Sequence, residues 1–340
     1  MKTKVLLGMS GGIDSSVSAM LLQRDGYEVV GVYMKLHDKG GGYHEENYKR
    51  ASQVGERLGI EVKFLDLSDS FRKDIYNYFV QSYQGGLTPN PCVMCNRLIK
   101  FGALIDFASS LGIEKVATGH YIRCDGEFFY KAKDETKDQT YFVAQVKKEV
   151  LPKLIFPLAE WRKEDLKIFA SQFETFEAFK TQKESNEICF VDGEYTDILA
   201  KHFEIDKKGK TFTTDGKVVG EHKGYMHYTI GKRRGFSVHG AHDPHFVLSI
   251  NPQNNEIIVG KKEELEVKNF RIKNINLFEE KKSFKAQIKV RYRTQGIDCT
   301  ISLDGNGGEV FLDESVFGLA KGQFAVFYDD DKLIGSGEIE

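Results

Sequence analysis

No apolar run in this sequence approaches the roughly 18–20 residues needed to cross a bilayer. The N-terminus starts basic and then turns apolar, but the apolar stretch is only Val5–Met9 and runs into Ser10-Gly11-Gly12. It reads as a buried first strand, not as a secretory leader. Cysteine is scarce. There are five, at 92, 95, 124, 189 and 299, an odd number with scattered spacing. A disulfide framework belongs to small scaffolds in oxidising compartments, so free thiols in a reducing cytoplasm are expected. Net charge is also small, at −2. The molecule is no polycation, and any nucleic-acid contact must use local basic patches. Internal repeats and low-complexity tracts are missing. What is present is an ordinary globular mix, 41% hydrophobic and 29% charged. At 340 residues the chain exceeds one ordinary core, and two or three domains are expected.

The first half alternates strand-like and helix-like segments. Lys4–Met9, Val29–Met34, Val62–Leu67 and Lys115–Thr118 read as strands. Ser15–Gln23, Glu45–Leu58, Asp69–Ser82 and Asn96–Leu111 read as helices, the last with Asn96 as N-cap and Gly112 as stop. That alternation argues for an α/β domain with a parallel sheet covered on both faces. After about Glu194 the pattern becomes β-rich. Asp215-Gly216 and Asp304-Gly305 predict hairpins. Segment 284–292 alternates, with Phe284, Ala286, Ile288, Val290 and Tyr292 on one face and a basic set, Arg291 included, on the other. The charged runs at 261–264 and 279–282 read as exposed connections near a domain boundary.

The most specific string is Gly8-Met9-Ser10-Gly11-Gly12-Ile13-Asp14-Ser15, between a strand and a helix. Glycines let backbone N–H groups approach an anion, and the helix presents its positive end to it. Serine hydroxyls add donors, so the loop suits polyphosphate. A Walker loop would need a Lys after Gly12, and a dinucleotide fingerprint would need G-x-G-x-x-G; neither is present.

The second string is Asn90-Pro91-Cys92-Val93-Met94-Cys95-Asn96. With a helix predicted from Asn96, Cys95 would sit at its N-terminus and be shifted toward thiolate, with Arg97 and Lys100 assisting. Cys189 lies far along the chain in Ser185-Asn186-Glu187-Ile188-Cys189-Phe190. Blander readings stand beside these. The C-x-x-C could bind zinc, although no second C-x-x-C exists, or act as a redox pair. Cys189 could be an inert buried thiol. His239, His242 and His245 are evenly spaced, but a Pro- and Gly-containing loop before strand Phe246–Ile250 explains them without metal.

The Ser-Gly-Gly-x-Asp-Ser string resembles the loop of the PP-loop ATP-pyrophosphatase superfamily. The order of further motifs is similar to the tRNA-specific 2-thiouridylase family. These are Asn90 to Phe101, Ala117-Thr118-Gly119-His120-Tyr121, Lys137 to Phe142, Ile188-Cys189-Phe190, Thr229 to Gly235, Arg291-Tyr292-Arg293 and Gly322 to Phe327. The resemblance implies a PP-loop (adenine nucleotide alpha hydrolase-like) catalytic domain over 1–194. A central tRNA-binding domain would follow over 195–265, and a C-terminal β-barrel over 266–340. It implies an enzyme that adenylates the C2 oxygen of a wobble uridine with ATP, carrying Mg²⁺, and replaces that oxygen with persulfide sulfur. Sulfur would move by direct persulfide attack or as released hydrosulfide.

Carried over position by position, Cys189 would take the persulfide and Cys95 would form a transient disulfide with it. Gly8, Met9, Ser10, Gly11, Gly12, Ile13, Asp14, Ser15, Met34 and Gly119 would hold ATP. Asn90, Pro91 and Cys92 would border the target base. His120, Lys137, Asp138, Gln139, Arg291, Tyr292 and Gln323 would contact tRNA. The implied partners are tRNA, through its anticodon stem-loop, and a sulfur-donor protein, met by a monomer in the cytoplasm. One departure matters: the family commonly has Asp where this chain has Cys92. Apart from the resemblance, Arg291 and Lys232-Arg233-Arg234 read either as phosphate contacts or as solvated surface. Two other functions stay open on the residues alone: another PP-loop ligase or amidating enzyme, and a nucleotide-regulated tRNA-binding protein without catalysis.

Overall fold

The computed structural model describes residues 2–174, 176, 188–240 and 242–340. Ser185, Asn186 and Glu187, quoted above, lie outside the described residues. The first domain is built on a parallel sheet of β1 (Lys4–Gly8), β2 (Glu28–Lys35), β3 (Val62–Asp66) and β4 (Lys115–Thr118). Two short strands, β5 (Arg123–Cys124) and β6 (Phe129–Tyr130), follow, and β7 (Leu154–Ile155) completes the sheet in the order β3-β2-β1-β4-β7. Successive side chains of β1 face opposite layers. Val5 and Leu7 pack with residues of α1 (Ile13–Arg24) and α2 (Tyr43–Leu58), while Leu6 packs with Leu104, Ile105 and Ala108 from the other face. The crossover from β1 leads to β2 on one side, and the chain returns from β3 to place β4 on the other, so the strand order reverses beside β1. In such sheets ligands bind at the carboxyl ends of the strands beside this switch point. The turns after β1 and β4 both open there.

The predicted strands and the first two helices lie where the pattern places them, within a residue or two at their ends. The helix predicted over Asn96–Leu111 differs. Helix begins at Pro91, and Asn90 is its N-cap, with Oδ1 accepting from the Val93 N–H at 3.3 Å. The helix, α4 spanning 91–110, includes a π-helical stretch at Asn96–Ala103 and is kinked at Phe101, where the backbone leaves helical geometry (φ −120°, ψ 19°). Proline at the first helical position explains the early start, because its missing N–H is not needed there. An earlier helix, α3, spans 68–84.

Next comes a four-stranded sheet of order β10-β11-β8-β9, from β8 (Gly209–Phe212), β9 (Val218–His222), β10 (Phe246–Asn251) and β11 (Glu256–Gly260). The Asp215-Gly216 turn joins β8 to β9 as expected, with Gly216 at φ +80°. The last domain is a closed barrel of β12 (Glu266–Leu277), β13 (Ser283–Lys289), β14 (Ile297–Asp304), β15 (Gly307–Phe317), β16 (Phe324–Asp329) and β17 (Lys332–Ile339). Pairing of β12 with β17 closes it. The strand predicted over 284–292 ends at Lys289. Arg291 therefore stands in the following turn and not on a strand face; its guanidinium donates to the Gly318 carbonyl at 2.5 Å.

The barrel and the first domain share a core. Phe278, Phe324, Val326, Tyr328 and Leu333 are buried with Leu6, Phe101, Leu104, Phe129 and Tyr141. Strand β6 pairs with β17, extending the barrel sheet into the first domain. Among the described residues no helix is long and apolar enough to cross a membrane.

Candidate active site

The loop after β1 is anchored by the Met9 N–H to the Val32 carbonyl at 2.8 Å. Gly11 takes φ +76°, and a Cβ there would stand 2.6 Å from the Asn47 carbonyl oxygen, so both conformation and space require glycine. Gly12 is the N-cap of α1 and, having no side chain, leaves the first turn's N–H groups without a side-chain cap. The Ser15 hydroxyl donates to the Gly12 carbonyl at 3.0 Å and accepts from the Ser10 N–H at 3.2 Å. These bonds hold the loop, a cradle, against the uncapped N-terminus of α1, the kind of end that suits an anion. Gly119, just past β4, packs against it. A Cβ at 119 would lie 3.0 Å from the Ser15 nitrogen. Met34, at the end of β2, is half-buried and touches the space beside Gly8.

Asp14 leads away from the cradle. Its Oδ1 accepts from the Tyr121 hydroxyl at 2.9 Å and from the Lys163 ammonium at 2.5 Å. Lys163 is buried at the start of α5 (Lys163–Ser171). Sequence reasoning missed it. Its only local signal is a helix start, and its meaning comes from a partner 149 residues away.

His120 follows Gly119 and points the other way. Its Nδ1 pairs with the Thr118 hydroxyl at 2.7 Å, and its ring lies 5.7 Å from that of Phe101 in α4. Burial, aided by the Lys100 charge, holds its pKa well below the usual histidine range, so the ring is neutral. Lys100 also lies within electrostatic reach of Cys92, Cys95 and Cys189, opposing the rise of each. The π-helical stretch widens the turn between Cys95 and Lys100, a distortion frequent at functional sites. Arg97 is turned aside and donates to the Gln145 side chain at 2.7 Å.

The three thiols form one electrostatic group. Cys95 feels both Cys189 and Cys92, and Cys189 feels Cys92. Cys95 is buried among Phe71, Ile75 and Ile99, with Phe190 packed against the same cluster. Phe190 holds the Cys189 turn in place, its ring 5.4 Å from Phe71 and 5.2 Å from Phe79. An ion pair between Lys39 and Asp192 ties the same turn to the loop after β2. The expected thiolate at Cys95 is not found. Cys95 is the fifth helical residue, not the first, and burial pushes its thiol up to about 12. Cys189 is exposed, yet the surrounding chain still pushes its thiol up to about 11. Burial also raises Cys92.

Of the residues expected at the target base and at tRNA, Asn90, Pro91, Cys92 and Gln323 meet at the start of this helix, while Lys137, Asp138 and Arg291 make their contacts elsewhere. Asn90 and Pro91 open the helix. Gln323, from the barrel, donates to the Thr88 and Pro89 carbonyls at 3.1 Å each and accepts from the Asn90 amide at 3.4 Å. Tyr292 lies 4.5 Å, ring to ring, from Phe142. Gln139 accepts from the Tyr121 N–H at 2.9 Å. Asp138 is buried and is satisfied by the chain itself, through Thr140 and the Ala132 N–H. Lys137 lies in the turn closed by its own N–H on the Asp134 carbonyl. In the basic cluster Arg233 and Arg234 are exposed, while the Lys232 ammonium donates to the His227 carbonyl at 2.7 Å. Among the described residues no group of three or more His, Cys, Asp or Glu is arranged to hold a metal ion.

Comparison with known proteins is decisive. The chain is 54% identical to tRNA-specific 2-thiouridylase MnmA of Sulfurimonas denitrificans, covering 100% of this chain and 99% of that protein. It is 52% identical to tRNA-specific 2-thiouridylase MnmA of Campylobacter jejuni, covering 99% and 100%. The chain belongs to the tRNA-specific 2-thiouridylase family. Three domain families match in series: a tRNA methyl transferase HUP domain over 3–193, a tRNA methyl transferase PRC-barrel domain over 196–261 and an aminomethyltransferase beta-barrel domain over 267–339. Those descriptions speak of methyl transfer, but the relatives matched over their full length are thiouridylases. A solved structure, the U34-tRNA thiolase NcsA from Methanococcus maripaludis with its [4Fe-4S] cluster, is similar at a TM-score of 0.38 and 18% identity. That match covers 59% of this chain and 65% of that one. As a 2-thiouridylase family member, the chain is a tRNA-modifying sulfurtransferase.

Proposed function

We propose that the cradle of Gly8–Ser15 binds the triphosphate of ATP and that the thiols beside it deliver sulfur to C2 of the wobble uridine. The observation that carries this reading is the continuous bridge between the two chemistries. Gly119 abuts the cradle at Ser15, the His120 ring lies 5.7 Å from that of Phe101, and the neighbouring Lys100 charge acts on all three thiols.

A uracil C2 oxygen is a poor leaving group. Attack of that oxygen on the α-phosphorus of ATP expels pyrophosphate and turns it into AMP, a good one. The cradle's N–H groups and the end of α1 stabilise the pyrophosphate as it departs. Both contacts to Asp14 fall on Oδ1, so this carboxylate would be the group to hold Mg²⁺ carried with the triphosphate, which would neutralise phosphate charge. Persulfide sulfur on Cys189 then bonds to C2 and AMP leaves. Cys95 attacks the Cys189 sulfur, the base keeps the transferred atom, and a Cys95–Cys189 disulfide remains. If Cys95 attacks first and releases hydrosulfide, the same disulfide results. The base must leave its stack to enter, at a cost of a few kcal/mol that is least in a single-stranded loop.

Asn90, Pro91 and Cys92 border the base. His120, Lys137, Gln139, Arg291, Tyr292 and Gln323 form the tRNA side of the site, with Asp138 buried behind them and bonded to Thr140 and Ala132, and Met34 sits by the adenine. The exposed Cys189 turn is open to a sulfur-donor protein. The domains divide at 194/195 and 265/266, and the protein works as a cytoplasmic monomer.

The test is nucleoside mass spectrometry of tRNA incubated with the protein, ATP, Mg²⁺ and a sulfur source. 2-Thiouridine should appear with AMP and pyrophosphate. Cys189→Ser should bind ATP and tRNA but make none; full product from that variant would refute the two-thiol scheme.

A further inference from the structure

Cys92 has no part in the chemistry above beyond lining the base pocket. It nevertheless shares one helix face with Cys95. Three residues apart in α4, their Cα atoms are about 5 Å apart by helix rise and radius. That separation lies inside the range a disulfide spans. Cys95 is buried and Cys92 is half-buried, so Cys92 is the more reachable of the pair. Cys95 feels both other thiols and Cys189 feels Cys92, so all three lie within electrostatic reach of one another. A Cys95–Cys189 bridge would close the Cys189 turn onto the helix and hide the sulfur that must be recharged.

We propose that Cys92 is a resolving thiol, attacking Cys95 in the Cys95–Cys189 disulfide, forming a Cys92–Cys95 disulfide and releasing Cys189. This rests on the two-thiol sulfur transfer of the preceding section. The Cys92 proton leaves to water. The Cys92 Sγ–Cys95 Sγ bond forms, the Cys95 Sγ–Cys189 Sγ bond breaks, and Cys189 departs as thiolate and takes up a proton. The exchange is redox-neutral and needs no oxidant. Two electrons enter afterwards, from an external dithiol reducing the disulfide within α4. Cys189 is thereby free for a new sulfur before that reduction occurs.

The chain's protease sites make the experiment direct. Cys92 and Cys95 fall on one tryptic peptide, ending at Arg97, and Cys189 on another, ending at Lys201. The protein is loaded with inorganic polysulfide and given tRNA, ATP and Mg²⁺ without reductant. It is then quenched with N-ethylmaleimide and mapped by mass spectrometry. The expected product is an internal disulfide on the first peptide with Cys189 alkylated. Cys92→Ser should instead accumulate the cross-linked pair of peptides. Its ratio of later turnovers to first-turnover yield, at limiting reductant, should fall at least fivefold and recover in excess dithiothreitol.

Accumulation of the Cys95–Cys189 cross-link with Cys92 alkylated in the unmutated protein would overturn the proposal. So would an unchanged ratio in Cys92→Ser, or iron or zinc held stoichiometrically by the three thiols. If the unmutated protein makes no 2-thiouridine in its first turnover, the preceding reading fails, and this one with it.

Discussion

The Lys163 ammonium donates to Oδ1 of Asp14 at 2.5 Å, joining the start of α5 to the phosphate cradle. The lysine side chain is 8% exposed and the carboxylate 34%, so water offers the lysine little else. Lys163→Met leaves the Asp14 carboxylate with the Tyr121 hydroxyl but without its cation. Removing one partner of a largely buried pair is costly. The melting temperature should drop by several degrees, and the KM for ATP should rise at least tenfold. Adding Asp14→Asn should recover much of the melting temperature and none of the ATP affinity. Thermal melts and tRNA-dependent AMP release check both halves.

Gly11→Ala should damage the cradle without touching its hydrogen bonds. The positive φ and the 2.6 Å approach to the Asn47 carbonyl oppose any Cβ. The expected cost is on the order of 1–3 kcal/mol in stability. ATP binding should weaken by at least tenfold while tRNA affinity holds. Equilibrium unfolding and nucleotide titration measure the two effects.

Thiol reactivity should follow exposure. At pH 8 iodoacetamide should modify Cys189 first and Cys95 last, with Cys92 between. The Cys95 rate should climb about tenfold per pH unit until pH nears about 12, where its thiol ionises. Because folding raises this pKa, the neutral thiol's contribution to stability is complete below about 9 and is lost as pH rises toward about 12. Quenched alkylation with peptide mapping gives the order. A Cys95 that reacts fastest at pH 8 would contradict it.

Gln323→Ala should loosen the Thr88–Asn90 segment from the barrel. Two hydrogen bonds to backbone carbonyls are lost, worth about 1–2 kcal/mol together. kcat/KM for tRNA should fall roughly five- to tenfold. The KM for ATP should stay near its starting value, because the cradle lies on other elements. Steady-state kinetics with each substrate varied separates the two.

Much of this molecule was legible before its structure. The cradle could be read because its glycines and serines are contiguous and their function is local. The hairpins at Gly216 and Gly305 could be read for the same reason. The start of α4 was misread because the helix was placed from Asn96 with Asn96 as its cap, whereas proline at the first helical position is favoured and Asn90 is the cap. That single shift moved Cys95 from a helix terminus into a buried turn and reversed the direction of its pKa. Lys163 carried no local signal, since its role depends on a tertiary partner. Arg291 was placed on a strand face because alternation continues to Tyr292, three residues past the end of β13 at Lys289. Asp138 is a buried acceptor for nearby donors, and periodicity gave no hint of that.

The core shared by the first sheet and the barrel has a practical corollary. Phe278, Phe324 and Tyr328 are structural members of the nucleotide-binding half as much as of their own strands. A fragment ending near residue 194 would expose that apolar surface and lose the clamp on Asn90. The catalytic half is therefore not a modular cassette that can be transplanted alone, and its melting should be inseparable from that of the barrel.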